Sequence, residues 1–493
     1  MKSFRLLTIA VLAAVTVPRL AHRGMFVDGV TYASIARNLA EGRGSFWSPS
    51  YTATLYPQFH EHPPLGFWLQ SLWFRVFGDH LFVERLYAVA VALGTAGLIA
   101  AIWRRLHADV DRPTAGSDGP AEAGHVRHDI AERGLDWLPV VLWIAVPVVS
   151  WAIVGNLLET TVALFTTGAI LAALNASSNT GGGGAATGWT ILSGLCIVAA
   201  VLTKGPVGFF PLVLPIAFLW LAEGRQAWRA ILVQSALQWM TVAACAWLVW
   251  TSGTARASLT DYANQQVMAA LAGSREVSGS SVTILKTLMQ GVVLPMTGVA
   301  VLAFIGSGRF VVPAPAVQRR ALLFLAVGLS GTLPILASAK QAGHYLVPAV
   351  PLYAIAAALV VGPTVAAVVH RSAAKPWRVA INIAITLLIL GTVGGSLSAA
   401  VGRDRDRLAD LDAMASTVPR TQTIGLCPES NDDWGLHAWF QRRFQVSLDA
   451  GEGRRRDWFL QTARGPAGCV PAACAAATDP RRQLVLMKCR RAD

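Results

Sequence analysis

The chain is 493 residues long, with 54% hydrophobic and 14% charged residues and a mean hydropathy of +0.48, values that exclude an ordinary soluble protein and describe a polytopic membrane protein. A formal net charge of +13 would point a soluble domain towards nucleic acid. Here many Lys and Arg fall in short loops between apolar runs, where they set orientation, so nucleic acid is excluded as a partner.

Taken in order, Leu6–Val17 resembles a signal-peptide core behind Lys2 and Arg5, but the Pro-Arg-Leu-Ala-His-Arg that follows lacks a small-residue cleavage motif, and a retained first span is expected. Apolar runs of about the 20 residues a spanning helix needs recur near 3–20, 81–103, 137–155, 158–174, 188–203, 206–222, 229–250, 284–305, 321–338, 346–369 and 377–400. About eleven spans follow. Lys2 and Arg5, Arg104 and Arg105, Arg225 and Arg229, Arg309 with Arg319 and Arg320, and Arg371 with Lys375 and Arg378 fall in alternate loops along the chain. They therefore share one face, which the positive-inside rule makes cytoplasmic, with the N-terminus. Loop 21–80, Asn156, Lys204–Pro206, loop 251–283, Lys340–Tyr345 and the C-terminal tail are then expected outside, and the protein in the cell inner membrane.

Inside the first outer loop, Gly29–Glu41 and Pro64–Phe77 have helical character but are too short to cross, and Trp47, Trp68 and Trp73 suit helices lying in the interface. Two cytoplasmic inserts, 106–136 and Ser177–Gly184, are low in information and receive no function. A membrane domain over 1–400 gives way to a small α/β domain over 401–493, with strands at Thr423–Leu426, Phe444–Leu448 and Gln483–Lys488 and helices at Trp434–Phe444 and Arg454–Ala463. Cys196 and Cys245 lie in apolar runs; Cys427, Cys469, Cys474 and Cys489 lie in the tail, where an exported location permits disulfides. Cys427 and Cys489 sit in the first and last strand-like pieces, and Val-Pro-Ala-Ala separates Cys469 from Cys474. Of the three pairings, Cys427–Cys489 with Cys469–Cys474 is favoured.

The outer loops contribute few charged or ligating groups: Asp28, Glu61, His62, Glu159, Lys204, Lys340 and His344. Phosphoryl groups at a membrane surface need cations, which Lys supplies as a point charge. A sugar hydroxyl attacking an anomeric carbon needs an acceptor for its proton, and a carboxylate is the usual one. One Asp with several cations thus suits transfer from a lipid-phosphate donor. Each residue also has a plainer role: Asp28 as helix N-cap, His62 as a structural residue before Pro63-Pro64, Lys204 and Lys340 as snorkelling side chains, Glu159 as a cap, and Tyr345 as an interface anchor. No internal repeat is present, which leaves the architecture of many transporters without support.

The pattern Asp28-x-x-x-Tyr32-x-x-x-Ala36-Arg37, then His60-Glu61-His62-Pro63-Pro64-Leu65, then Phe77-Gly78 and Glu84-Arg85-Leu86, resembles the first outer loop of the protein O-mannosyltransferase and lipid A aminoarabinose transferase families, which are C-type glycosyltransferases. Thr203-Lys204-Gly205-Pro206 and Lys340-Gln341-Ala342-Gly343-His344-Tyr345-Leu346-Val347-Pro348, followed by Pro351, resemble two further landmarks of that superfamily. The resemblance runs to about residue 360. It departs where Gly29 replaces the acidic neighbour those families place after the Asp, and where Glu159 replaces an Asp.

The resemblance implies a glycosyltransferase that takes a monosaccharide from a polyprenyl-phosphate-linked donor. Its acceptor would be a lipid, glycan or protein hydroxyl at the outer face of the inner membrane. Asp28 would serve as the catalytic carboxylate, with Glu61, His62, Glu159, Lys204, Lys340, His344 and Tyr345 contacting substrate and the anomeric centre inverted. No cofactor is demanded, and a divalent metal ion held by Glu61 and His344 stays open. The alternative is a non-catalytic flippase or transporter of lipid-linked sugars, which would be expected to carry ionisable residues at mid-span.

Overall fold

In hydrocarbon every backbone polar group must be satisfied within its own segment, so apolar runs of this length become helices. The computed structural model describes residues 2–108, 134–178, 184–220, 225–273, 282–338, 340–371, 375–398, 402–451, 456–463, 465–466 and 469–490. Most of the two inserts at 106–136 and 177–184 lies outside the described residues. The helices are α1 (Lys2–Ala21), α2 (Val27–Ala40), α3 (Leu65–Phe77), α4 (Val83–Leu106), α5 (Leu138–Ile144), α6 (Pro147–Val154), α7 (Leu158–Ser178), α8 (Gly184–Lys204), α9 (Val213–Ala217) and α10 (Arg225–Thr251). They continue with α11 (Gly253–Tyr262), α12 (Ala269–Leu271), α13 (Thr283–Thr287), α14 (Leu294–Ser307), α15 (Pro315–Thr332), α16 (Val350–Arg371), α17 (Lys375–Leu397), α18 (Arg405–Met414) and α19 (Trp434–Phe444).

Among the described residues, nine helical stretches are long and apolar enough to cross a membrane. The difference from eleven apolar runs has two local causes. Residues 137–155 form two short helices, because Pro147 has no N–H to donate and holds Val146 in extended backbone at ψ 113°. The runs 188–203 and 206–222 are continuous as Gly184–Trp220, but the chain turns at Gly205, whose φ of +78° is open to glycine. The 3-10 stretch Gly205–Leu212 then packs back on α8. At the far end of the bundle α17 leans on α1, and its spanning window is otherwise unburied.

The interfacial helices are α2 and α3, packed on each other. At 14 and 13 residues both are too short to span.

The tail forms one five-stranded sheet of order β2-β1-β3-β5-β4, with β1 at Thr423–Leu426, β2 at Ser447–Asp449, β3 at Trp458–Thr462, β4 at Cys474–Ala476 and β5 at Leu484–Cys489. Strand β1 pairs parallel with β2 and β3, and β5 pairs antiparallel with β3 and β4. Two sequence expectations are corrected here. The helix expected over Arg454–Ala463 is instead strand β3: Trp458, Phe459, Leu460 and Thr462 are aromatic, branched or β-branched residues that fit a central strand. The disulfides join Cys427 to Cys469 and Cys474 to Cys489. Because β3 lies between β1 and β5, Cys427 and Cys489 are kept apart, whereas the β4–β5 register sets Cys474 opposite Cys489.

The sheet's core reaches into the membrane part. Leu411, Leu426, Phe440 and Leu486 pack in one cluster with Met25 and Val30 of the α2 region, and α19 lies against α2. Two buried guanidinium groups fasten this contact. Arg37 of α2 is 1% exposed and donates 3.0 Å to the Gln441 carbonyl and 3.4 Å to that of Arg442. Arg442 donates 3.0 Å to Glu84 Oε2, 2.5 Å to Asp79 and 2.9 Å to the His80 carbonyl. Burial lowers the Arg37 pKa to about 10. For Arg442 burial pulls the same way, but Glu84 and Asp79 outweigh it and hold the group above its ordinary value. Arg85 closes the seam, donating to the carbonyls of Leu20 and His22, and of Arg23 at 2.9 Å.

Arg442→Ala strips the buried Glu84 of its partner, and breaking a buried pair costs about 3–5 kcal/mol. The variant should melt lower in detergent and expose 402–490 to protease at concentrations that leave the parent intact. Equal melting and equal digestion would show that the seam holds without Arg442.

Candidate functional site

Asp28 occupies the first turn of α2, where a carboxylate is favoured by the helix dipole. It is not the cap: Phe26 holds that position, with no side-chain capping bond. The departure at Gly29 has a steric cause, since a side chain there would run into the Gly155 carbonyl. Asn156, itself at φ 53°, donates 3.1 Å to the Gly29 carbonyl and accepts 2.7 Å from Gln70. Close approach of α2 to the 155–156 corner therefore fixes where Asp28 points. Burial raises the Asp28 pKa, Lys204 and Lys340 oppose the rise, and Glu159 and Glu61 add to it.

Asp28 lines a cavity of about 660 Å³ together with Tyr32, Tyr51, Tyr56, Glu61, His62, Lys204, Lys340, His344, Tyr345 and Trp434. A second cavity of about 530 Å³ shares Glu61, His62, Lys204, Gln266, Lys340 and Tyr345 with it, adds Glu159, and continues between Phe209, Phe210, Val213, Trp239, Pro334 and Ile335. All eight residues singled out from the sequence line one or other cavity. The first cavity is mixed in polarity; the second is an apolar groove between helices with its polar end at the shared residues.

Within this set the partners differ. Glu159, 1% exposed at the start of α7, accepts 2.7 Å from Lys204 Nζ and lies 3.4 Å from His344 Nε2. Lys204 also sits over the Tyr345 ring, 5.5 Å from its centre. Lys340 has no carboxylate within ion-pair distance among the described residues, and it lines both cavities. His62 Nε2 shares a 3.0 Å hydrogen bond with the Tyr32 hydroxyl, and Tyr56 donates 2.8 Å to Glu61 Oε1. His344 packs against Phe26, Trp151 and Tyr345, and burial lowers its pKa, favouring the neutral ring.

These contacts bear on the metal expectation. Glu61 is engaged by Tyr56, and His344 faces a carboxylate already compensated by an ammonium 2.7 Å away. A dication beside that ammonium would be repelled. Among the described residues, neither belongs to a group of three or more metal-type ligands; the one such group, Cys427, Glu429 and Cys469, contains a disulfide. The donor set does not fit a divalent ion.

The sequence reading did not anticipate several lining residues. Tyr32 and Tyr56 lie within the motif region but gave no titration or charge signal. Gln265 and Gln266 enter on a π-helical stretch, 263–268, whose neighbours Asp261 and Tyr262 reach His60 at 3.1 Å and the Lys204 carbonyl at 3.4 Å. A π-bulge is a frequent mark of function but is invisible to periodicity. Trp434 comes from the tail, just over 400 residues from Asp28.

No family model matches the chain, and no curated protein matches it by sequence. Solved structures do match. ArnT from Cupriavidus metallidurans bound to undecaprenyl phosphate superposes with a TM-score of 0.64 at 15% identity, over 98% of this chain and 97% of that one. The same protein in the apo state gives 0.62 at 15% identity, over 97% and 95%. The apo oligosaccharyltransferase of Archaeoglobus fulgidus gives 0.50 at 11% identity over 92% of this chain and 64% of that chain, so this chain spans under two thirds of its length. The chain shares the fold of ArnT over nearly its whole length.

Proposed function

We propose that this protein is an inner-membrane glycosyltransferase that moves a monosaccharide from a polyprenyl-phosphate donor to an acceptor hydroxyl at the outer face. The observation that carries the reading is the pair of joined cavities: an apolar groove ending in cations, and beyond them a carboxylate in a mixed-polarity chamber. The structural likeness to ArnT, solved with undecaprenyl phosphate, supports the donor class. The isoprenoid tail lies in the groove between Phe209, Trp239 and Pro334, and its phosphate meets Lys340 and His62. Lys204, held by Glu159, adds positive potential without leaving its partner. The gathering of every outer-loop candidate at one end of the bundle supports the orientation read from the basic loops, with residues 401–493 forming the unit outside.

In the transfer, the acceptor oxygen bonds to the anomeric carbon as the carbon–oxygen bond to phosphate breaks from the opposite face, inverting that centre. The polyprenyl phosphate leaves with the bonding pair, and the hydroxyl proton passes to Asp28. An Asp near its ordinary pKa of about 4 is a weak base for an alcohol. Burial strengthens this one by raising its pKa, while Lys204 and Lys340 keep the anion accessible. The phosphate's negative charge develops beside Lys340, so the two ends of the reaction are balanced separately. No step passes through a metal ion.

Asp28→Asn should lower turnover by a factor of about 10²–10⁴, the usual contribution of a positioned base, measured as sugar transfer from a defined polyprenyl-phosphate donor in proteoliposomes. Turnover within about threefold of the parent would remove Asp28 from the mechanism. Because the Asp28 pKa is raised and its anion is the active form, kcat/KM of the parent should fall as pH drops through a value above the ordinary Asp range of about 4. An acid limb at or below that range would contradict the buried setting of Asp28. Lys340→Ala loses a charge-assisted contact of about 1.5–3 kcal/mol and should raise donor KM roughly ten- to hundredfold, with a smaller effect on kcat; an unchanged KM would take Lys340 away from the phosphate.

A further inference from the structure

We infer that the acceptor is an uncharged carbohydrate, with one sugar ring seated against Trp434 and Tyr56 and one of its hydroxyls turned to Asp28. This rests on the glycosyltransfer reading above and adds the class of its second substrate.

The mixed cavity differs from the groove in the part of its lining that the two do not share. The lining residues outside the shared set include Asp28, Thr31, Tyr51, Phe59, His344 and Trp434, and among the described residues none of that unshared lining is Lys or Arg. His344 is favoured as the neutral ring by its burial. The lysines that line this cavity are the two it shares with the groove: Lys204 is paired with Glu159, and Lys340 is assigned to the donor phosphate, so a phosphate or carboxylate on the acceptor would meet the Asp28 carboxylate with no further lysine lining the cavity, which costs heavily in a partly desolvated site. A neutral acceptor meets no such barrier.

Aromatic faces make up much of the remaining wall. Trp434 opens α19 and is 45% exposed, while Trp439, Phe440 and Phe444 further along the same helix are each at most 4% exposed. Its ring lies 6.0 Å from that of Tyr56 at an angle of 32°. Tyr56 in turn is anchored through its hydroxyl to Glu61. Two such rings form an apolar corner for the C–H face of a pyranose, and the neighbouring phenols and carboxylates receive its hydroxyls; large rigid rings with polar handles suit this combination. An extended peptide would instead need free main-chain partners. The nearby backbone is already engaged, with Tyr51 N donating to the Tyr56 carbonyl at 3.1 Å and Phe59 N to that of Pro49 at 2.7 Å. The cavity's 660 Å³ falls within the roughly 300–1,000 Å³ of small-molecule sites, room for a transferred sugar and one acceptor ring.

The test is saturation-transfer NMR on the full chain in nanodiscs. The probes are mannotriose, maltotriose and triacetylchitotriose, beside a Ser/Thr-containing peptide and a glucosamine disaccharide bisphosphate, with undecaprenyl phosphate binding measured in parallel. At least one neutral trisaccharide should receive saturation at its ring protons. Trp434→Ala should weaken it by about tenfold, Trp434→Tyr should restore most of the affinity, and undecaprenyl phosphate binding should be the same in both variants. The inference is overturned if no trisaccharide binds, if Trp434→Ala binds it as the parent does, or if the peptide or the bisphosphate binds in preference. Undecaprenyl phosphate binding without any trisaccharide binding defeats this inference alone, whereas failure to bind undecaprenyl phosphate defeats the glycosyltransfer reading beneath it.

Discussion

The site depends on one buried ion pair. Glu159 and Lys204 lie 2.7 Å apart with side chains 1% and 10% exposed, at the junction of α7, α8 and the 343–346 turn. Two charges in such a place are expensive unless each satisfies the other, so a buried pair is weak evidence for stability and better evidence for position. Here the pair fixes the ends of two helices and, through His344, a third segment. It also sets the two lysines of the cavities apart, since Lys204 is committed to Glu159 and Lys340 has no such carboxylate partner among the described residues.

A second buried arrangement places the carboxylate. Arg37 and Arg442 bind α2 to α19, and Glu84 and Asp79 compensate the charge. The motif residues Arg37, Glu84 and Arg85 thus act through architecture: they hold the helix that carries Asp28 and seat the sheet that brings Trp434 to the chamber. Gly29 belongs with them. Where the families it resembles place an acidic residue, this chain has no side chain, and α2 rests on Gly155.

Much of this was legible from residues alone. Span positions followed from apolar length, α2 and α3 from runs too short to cross, and Asp28, Glu61, His62, Lys204, Lys340 and His344 from the scarcity of charge in the outer loops. What escaped was non-local. No periodicity reveals that β3 runs between β1 and β5, and the disulfide pairing went wrong for that reason alone. Three consecutive arginines at 454–456 disguised a strand as a helix. Glu159 and Lys204 were each legible as charged residues, but their pairing depends on two helices meeting 45 residues apart in sequence.

The packing of α17 on α1 bears on how the chain is made. The principal neighbour of α1 is α17, more than 350 residues later in the chain, so the pair joins two distant parts of the sequence. At about 5–20 residues per second, some tens of seconds separate their synthesis. The pairing of α1 with α17 therefore waits until α17 has been made, and residues 402–490, later still in the chain, are the last to reach their place against α2.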